Sequence, residues 1–258
     1  MTDDRKTEPM QAYPTLRIAD CLDYLIRLIR AMSIVVLLLG LASCGGGSGT
    51  SGNTIPMTTI TSITPVGIVA PAISQSLSIL GTNFVSGMTV SVTDKNGVGY
   101  TVTPAVVSSP TVITVNVTIT ATPTDNYVNV TVIPTNSTPP VTAVLGVAGT
   151  NSTLATNVQS IFNANCIACH DGSAFPYLDL RSSASAAGLI NTSSSWLQCS
   201  SKLRVTPGDP RRTSTMLIDK IQASGGLPAC GSPMPLGLPA LNPTDIQTII
   251  DWVAGGAN

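Results

Sequence analysis

Charge is what this chain has least of. Asp, Glu, Lys and Arg make up 10% of its 258 residues, against roughly 25% in an average globular domain. Lys and Arg number 12 and Asp and Glu 13, leaving a formal charge of −1, and no block of like charge occurs, so nucleic acid is not expected as a partner. Histidine is scarcer still: His170 is the only one, which excludes every site that needs two imidazoles from one chain. A long hydrophobic run is also missing. The most apolar stretch, Met32 to Leu41, is about ten residues, and a bilayer takes about 20. Ser, Thr, Asn and Gly occupy the positions that charges leave, a composition typical of exported bacterial surface proteins rather than cytosolic enzymes.

The short apolar run does have a reading. Arg27 and Arg30 precede it and Ala42, Ser43 and Cys44 follow it, the order of a secretory signal: basic flank, apolar core, small residues before a cut. Leu41-Ala42-Ser43-Cys44 resembles the lipobox of bacterial lipoproteins, which implies that Cys44 is lipidated and becomes the first residue of the mature chain. The alternative is a simple signal peptide with a chance cysteine. Asp3, Asp4, Glu8, Asp20 and Asp23 do not suit a signal n-region, so the true start is expected downstream of Met1. Residues 1–43 then form the leader, and Cys21 is lost with it. Residues 44–55 read as a Gly/Ser tether after the anchor. The mature body keeps Cys166, Cys169, Cys199 and Cys230, in a compartment where disulfides persist.

Residues 56–148 alternate apolar and polar side chains in short runs at 76–80, 89–93, 114–119 and 127–132. A period of two, rich in Val, Ile and Thr, signals strands buried on one face. Asn96-Gly97 marks a tight hairpin turn, and Pro65, Pro71, Pro104, Pro110, Pro123 and Pro134 fall where strands should end. An antiparallel sandwich of about seven strands is expected. Ile63-Thr64-Pro65, then Gly81-Thr82-Asn83-Phe84 and Gly87, resemble the IPT/TIG family of immunoglobulin-like domains, over about ninety residues. The resemblance implies a spacer or a binding module, and no cluster of ligands or nucleophiles stands out within it.

Residues 149–258 carry the chemistry. Leu154, Val158, Ile161 and Phe162 share one helical face, and that helix leads into Cys166-Ile167-Ala168-Cys169-His170. C-x-x-C-H is the attachment sequence of c-type haem. Two thiols three residues apart reach the two vinyl groups on one porphyrin edge, and the following His can ligate the iron. A redox disulfide would want a βαβ context, which is absent. A zinc site would need one more ligand beside Cys166, Cys169 and His170, and a pentapeptide without a ligand role is the third alternative. With no second His, methionine is the usual sixth ligand of an electron carrier. Of Met57, Met88, Met216 and Met234, the last sits in Gly231-Ser232-Pro233-Met234-Pro235, a loop whose prolines fix the backbone, and it is the candidate; an open or water-bound iron is its rival. Beyond the loop, Asn242 is a good N-cap, Pro243 fits the first turn, and Ile246, Ile249, Ile250 and Val253 form an apolar stripe.

The Cys166–His170 motif after an amphipathic helix, Pro207-Gly208-Asp209-Pro210, Met234-Pro235 and a terminal helix with Trp252 together resemble the monohaem class I cytochrome c family. The resemblance implies a two-domain chain, a β-sandwich followed by an all-α cytochrome domain. It also implies one covalent haem c on Cys166 and Cys169, with His170 and Met234 as axial ligands of the iron. Cys199 and Cys230 are additional to that pattern. Free thiols are not expected in an exported chain, so these two are predicted to pair, closing a loop of about thirty residues worth roughly 3 to 4 kcal/mol.

A six-coordinate iron leaves no open site for substrate, so the expected function is outer-sphere electron transfer, not enzymatic catalysis. Residues 151–258 hold six Asp and six Lys plus Arg, so strong steering of a partner is not expected; other redox proteins, cytochromes among them, would dock transiently. The expected location is the cell envelope, lipid-anchored, on the outer membrane facing the periplasm or on the cell surface. Two readings stand beside this one: a surface adhesion or binding protein working through the sandwich, and a haem sensor or enzyme if the sixth position is open.

Overall fold

The alternating runs form the long strands, because β-branched side chains on every second residue can all enter one core. A computed structural model describes residues 56–135, 138–174, 177–195, 199–222 and 230–258; the expected leader, the expected lipidation site at Cys44 and the expected tether lie outside them. Nine strands are described: β1 (Thr59–Thr64), β2 (Gly67–Val69), β3 (Ala72–Thr82), β4 (Thr89–Thr93), β5 (Thr101–Val102), β6 (Val106–Ser109), β7 (Val112–Ile119), β8 (Tyr127–Ile133) and β9 (Val141–Ala148). One sheet runs β1-β3-β7-β5, with β6 also on β7; the other runs β2-β9-β8-β4. Leu77, Ile79, Ile113 and Val115 from the first sheet share a buried core with Val92, Val128, Val130 and Leu145 from the second. The two sheets therefore face each other.

Seven antiparallel strands were the expectation, and the difference is informative. The extra elements are two to four residues long, too short to show a period. One of them, β2, runs parallel to β9, pairing Ile68 with Val147. All six prolines named above fall outside the strands, as their missing N–H requires. At Asn96-Gly97 the chain does turn: Gly97 has φ 83°, and the Asp94 carboxylate accepts from the N–H groups of Asn96 and Val98, each at 2.8 Å.

The expected second half, an all-α cytochrome domain, is not what folds. The structure is mostly β-sheet, helix accounts for 19% of it, and the described α-helices are short: α1 (Gln159–Asn165), α2 (Ser185–Leu189), α3 (Met216–Ile221) and α4 (Pro243–Ala254). The two helices read from apolar periodicity do form. A wide π-type turn, Leu154–Val158, leads into α1, and Asn242 caps α4 by accepting from the Asp245 N–H at 2.8 Å. Between them the chain is rich in Ser, Thr, Gly and Pro, which favour turns over helix interiors. Outside α2 and α3, described stretches of it are joined by isolated bridges, Asp171 with Asp179, Ile190 with Val205, Ser193 with Leu203 and Leu203 with Thr215.

A second core gathers Val158, Ile161, Phe162, Leu189, Val205, Ile218, Ile249 and Trp252. Ile55–Asn258 forms one compact unit around both cores, and α4 joins them by packing on β9. Backbone approaches backbone there: a Cβ on Gly67 or Gly146 would collide with the Ala254 carbonyl oxygen. Beside that contact the Asp251 carboxylate, 3% exposed, accepts from Asn126 Nδ2 at 3.1 Å, Gly149 N at 3.0 Å, Thr150 Oγ1 at 2.7 Å and Gln247 Nε2 at 3.0 Å.

Candidate functional site

Helix α1 delivers the cysteine motif. The N–H groups of Cys166 and Ile167 both donate to the Phe162 carbonyl, at 2.8 and 3.1 Å, and those of Cys169 and His170 both donate to the Cys166 carbonyl, at 3.2 and 2.9 Å. The motif is thus wound into turns continuous with the helix end. Cys166 and Ile167 lean on the second core, so Cys166 is half-buried while Cys169 is exposed; neither is in a disulfide. Burial pushes the Cys166 thiol up to about 11. His170 is held below its ordinary value, first by burial and then by the Arg204 charge, against a hydrogen bond to the Leu178 backbone that acts the other way. Its ring is therefore neutral at pH 7, the form that binds a metal.

The segment after His170 folds back on it. Leu180 N donates to the His170 carbonyl at 2.8 Å, and Asp171 bridges Asp179. Inside the loop the Asp171 carboxylate accepts from Ser173 Oγ at 2.7 Å, Ser173 N at 2.9 Å and Ala174 N at 3.3 Å, which pulls it down to about 2. From beneath, buried Gln159 donates to the Leu180 carbonyl at 2.8 Å and accepts from Ser185 Oγ at 2.8 Å, fastening α1, the loop and α2 together.

Met234 lies half-buried on the other loop. Its N–H donates to the Lys220 carbonyl at 3.0 Å, and the Lys220 ammonium donates to the Ser232 carbonyl at 2.8 Å, so the loop is moored to α3. Ile218 and Ile221 of α3 share the core on which Cys166 and Ile167 lean, and the two loops thereby flank one core. No hydrogen bond links Met234 to the Cys166–His170 turn among the described residues. Cys199 and Cys230 are disulfide-bonded with Cα atoms 6.1 Å apart, as expected, and the bond ties the Met234 loop to the chain at Cys199. The other methionines sit elsewhere: Met88 is in the sandwich core, Met57 is 64% exposed on the sandwich, and Met216 begins α3.

The donor set suits a c-type haem. Two thiols stay free in a chain whose other described cysteines are bonded to each other, a neutral imidazole follows them directly, and a thioether is available on a fixed loop. A four-ligand zinc site would want more thiol or carboxylate donors, and among the described residues no three His, Cys, Asp or Glu side chains gather as a metal-binding group.

Sequence reasoning did not find Gln159, Arg204 or Asp251. Gln159 interrupts an apolar run, which was a weak signal. Arg204 had none, because its partners include backbone carbonyls that every residue owns. A concavity of about 360 Å³, lined by Lys95, Tyr127, Arg211, Arg212 and Gln247 among others, lies where the sandwich meets the second core. Its cations are already compensated: Lys95 by Asp125, Arg211 by Asp209 and Arg212 by Asp219. No protein-family model matches the chain, and no curated protein is significantly similar to it.

Proposed function

We propose that this chain is a monohaem c-type electron carrier of the cell envelope, holding its haem covalently through Cys166 and Cys169 and ligating the iron with His170 and Met234. The observation that supports this best is the pair of free thiols on one helix-end turn, followed at once by a half-buried neutral imidazole, in a chain that has oxidised Cys199 and Cys230. When bound, the haem supplies a one-electron couple. The remaining work belongs to the protein. The Phe162 and Cys166 carbonyls hold the two cysteines on consecutive turns, so the thiols are placed before any thioether forms. Burial and the Arg204 charge keep the proton off the imidazole. The Lys220 contacts and the disulfide tie the Met234 loop to α3 and to Cys199, and an iron held by both His170 and Met234 would have no place left for substrate.

In this reading a lipid on Cys44 and the 44–55 tether hold the body at a membrane, and the sandwich serves as spacer or docking module. Transient contact with other redox proteins fits a surface with balanced charge. The test is expression with a working haem-attachment system. Wild type should keep its haem under denaturation, Cys166→Ala/Cys169→Ala should lose it, and Met234→Ala should lose the weak sulfur-to-iron charge-transfer band. A chain that takes no covalent haem under those conditions overturns the proposal. Haem that is present but high-spin moves the sensor or enzyme reading ahead.

A further inference from the structure

The concavity between the sandwich and the second core has no part in the haem reading. The sandwich supplies Tyr127 and its neighbours at the start of β8, the chain ahead of α3 supplies Arg211 and Thr213, and α4 supplies Gln247. Its volume of about 360 Å³ falls at the small end of ligand pockets, roughly 300 to 1,000 Å³, which favour places where two bodies of chain meet. Two of its walls are fixed. Gln247 Nε2 donates to Asn126 Oδ1 at 3.2 Å and to the buried Asp251 carboxylate at 3.0 Å, so one network holds the sandwich wall and the α4 wall together. The Tyr127 ring is braced as well. The Arg211 guanidinium stands 5.8 Å from the ring centroid, within cation–π range, and is itself locked to Asp209 at 2.8 and 2.6 Å and to Ser214 Oγ at 3.2 Å.

Its charges do not select an ion, because Lys95, Arg211 and Arg212 each have a carboxylate partner. What is left open to a ligand is neutral. The Tyr127 hydroxyl and the side chains of Thr124, Thr213 and Gln222 line the pocket and make no hydrogen bond to other groups among the described residues. Scattered over a surface such groups would only meet water; here they converge around a braced aromatic ring. A sugar ring matches that set, since it offers an apolar C–H face to the aromatic ring and hydroxyls to the amide and hydroxyl groups. The same chemistry continues along the sheet. Asn129 and Thr131 follow Tyr127 on the face of β8 opposite to buried Val128 and Val130. Across the ladder they pair with Thr93 and Ser91 of β4, and Thr131 pairs with Thr142 of β9. None of these three strands contains a charged residue. We propose that the concavity, with the outward face of β8 leading from it, binds a neutral oligosaccharide: Tyr127 packs on one sugar ring, Thr124, Thr213 and Gln222 bind its hydroxyls, and the Asn129 row receives the next ring. This site stands apart from the haem reading and is the same with or without haem.

The test is calorimetric titration of the full chain with maltohexaose, cellohexaose and chitohexaose, beside a heparin hexasaccharide as the polyanionic control. At least one neutral probe should bind, with an affinity that stays level between about 0.05 and 0.5 M salt, because screening acts only on charge. Tyr127→Ala should weaken that binding about tenfold or more, while Tyr127→Phe, which keeps the ring, should stay within about threefold of wild type. Thr213→Ala/Gln222→Ala removes two hydrogen-bonding groups and should cost about tenfold. If no neutral probe binds, the proposal is overturned. Binding of heparin alone, falling as salt rises, also overturns it and makes the concavity an anion site. Should Tyr127→Ala not fold, the Thr213/Gln222 variant decides: wild-type affinity in that variant, at an unchanged unfolding midpoint, places the sugar elsewhere and the proposal fails.

Discussion

Cys166 and Cys169 stand three residues apart and meet different surroundings. Cys169 is exposed, whereas Cys166 leans on the core and its thiol is pushed up to about 11 by burial. At pH 8 only about one Cys166 in a thousand is thiolate. In the haem-free chain iodoacetamide should therefore modify Cys169 first and Cys166 about tenfold more slowly or worse, as read by peptide mass mapping; equal rates would contradict the described burial. The Asp171 loop makes a pH-dependent counterpart. Hydrogen bonds from Ser173 and Ala174 hold this carboxyl at about 2, below its unfolded value. Its contribution is present above the unfolded carboxylate range and is lost as pH falls through about 2. Amide shifts of Ser173 and Ala174 should titrate with that midpoint and should stop doing so in Asp171→Asn.

Elements show where sequence patterns were legible. The period-two runs at 76–80, 89–93, 114–119 and 127–132 all lie within β3, β4, β7 and β8, because a half-buried sheet imposes that period on any sequence that fills it. The α4 cap was legible for the same local reason. Asn242 accepts from Asp245 N and donates to the Asp245 carboxylate at 2.8 Å, so Asn242→Ala should lower the stability of the folded chain by about 1 kcal/mol in denaturant unfolding. The short strands and the bridges at 190–215 were not legible, since they answer to long-range partners and carry no period. The all-α expectation failed for that reason: helices do form where the apolar signals lie, Met216–Ile221 included, but they are short, and described stretches of the Ser, Thr, Gly and Pro-rich interval pair as bridges. The cysteine pairing succeeded because it rested on compartment chemistry and not on periodicity. Cys199 and Cys230 are both largely buried, and their bond closes a separation of 31 residues. Replacing both by Ser should cost roughly 3 to 4 kcal/mol and, in the haem-loaded chain, weaken the charge-transfer band of the methionine ligand; an unchanged band after verified loss of the bond would detach the disulfide from Met234.

At the scale of the molecule the question is whether the sandwich is a passenger. Its contact with the second core is built from backbone and one buried carboxylate, neither of which adapts easily to a change of angle. Gly146 faces the Ala254 and Gly208 carbonyls, and Gly208 at φ 75° faces the Val66 carbonyl, so the two halves approach more closely than side chains would permit. Asp251 then draws donors from three places, Asn126 on the sandwich side, Gly149 and Thr150 in the connection, and Gln247 on its own helix. A swivelling spacer would not invest a buried charge with four donors at its joint, because each lost donor costs about 1 to 3 kcal/mol when left buried and unsatisfied. Residues 56–258 should therefore unfold in one cooperative transition followed by both near- and far-ultraviolet dichroism. Asp251→Ala should strand those donors, lower stability by about 3 kcal/mol or more, and separate the transition into two, with the tryptophan signal of Trp252 moving apart from the strand signal. Gly146→Ala should act in the same direction by wedging the Ala254 end of α4 off β9. If both variants keep a single transition at the wild-type midpoint, the joint carries no coupling, and the sandwich reverts to the independent spacer that the sequence pattern suggested.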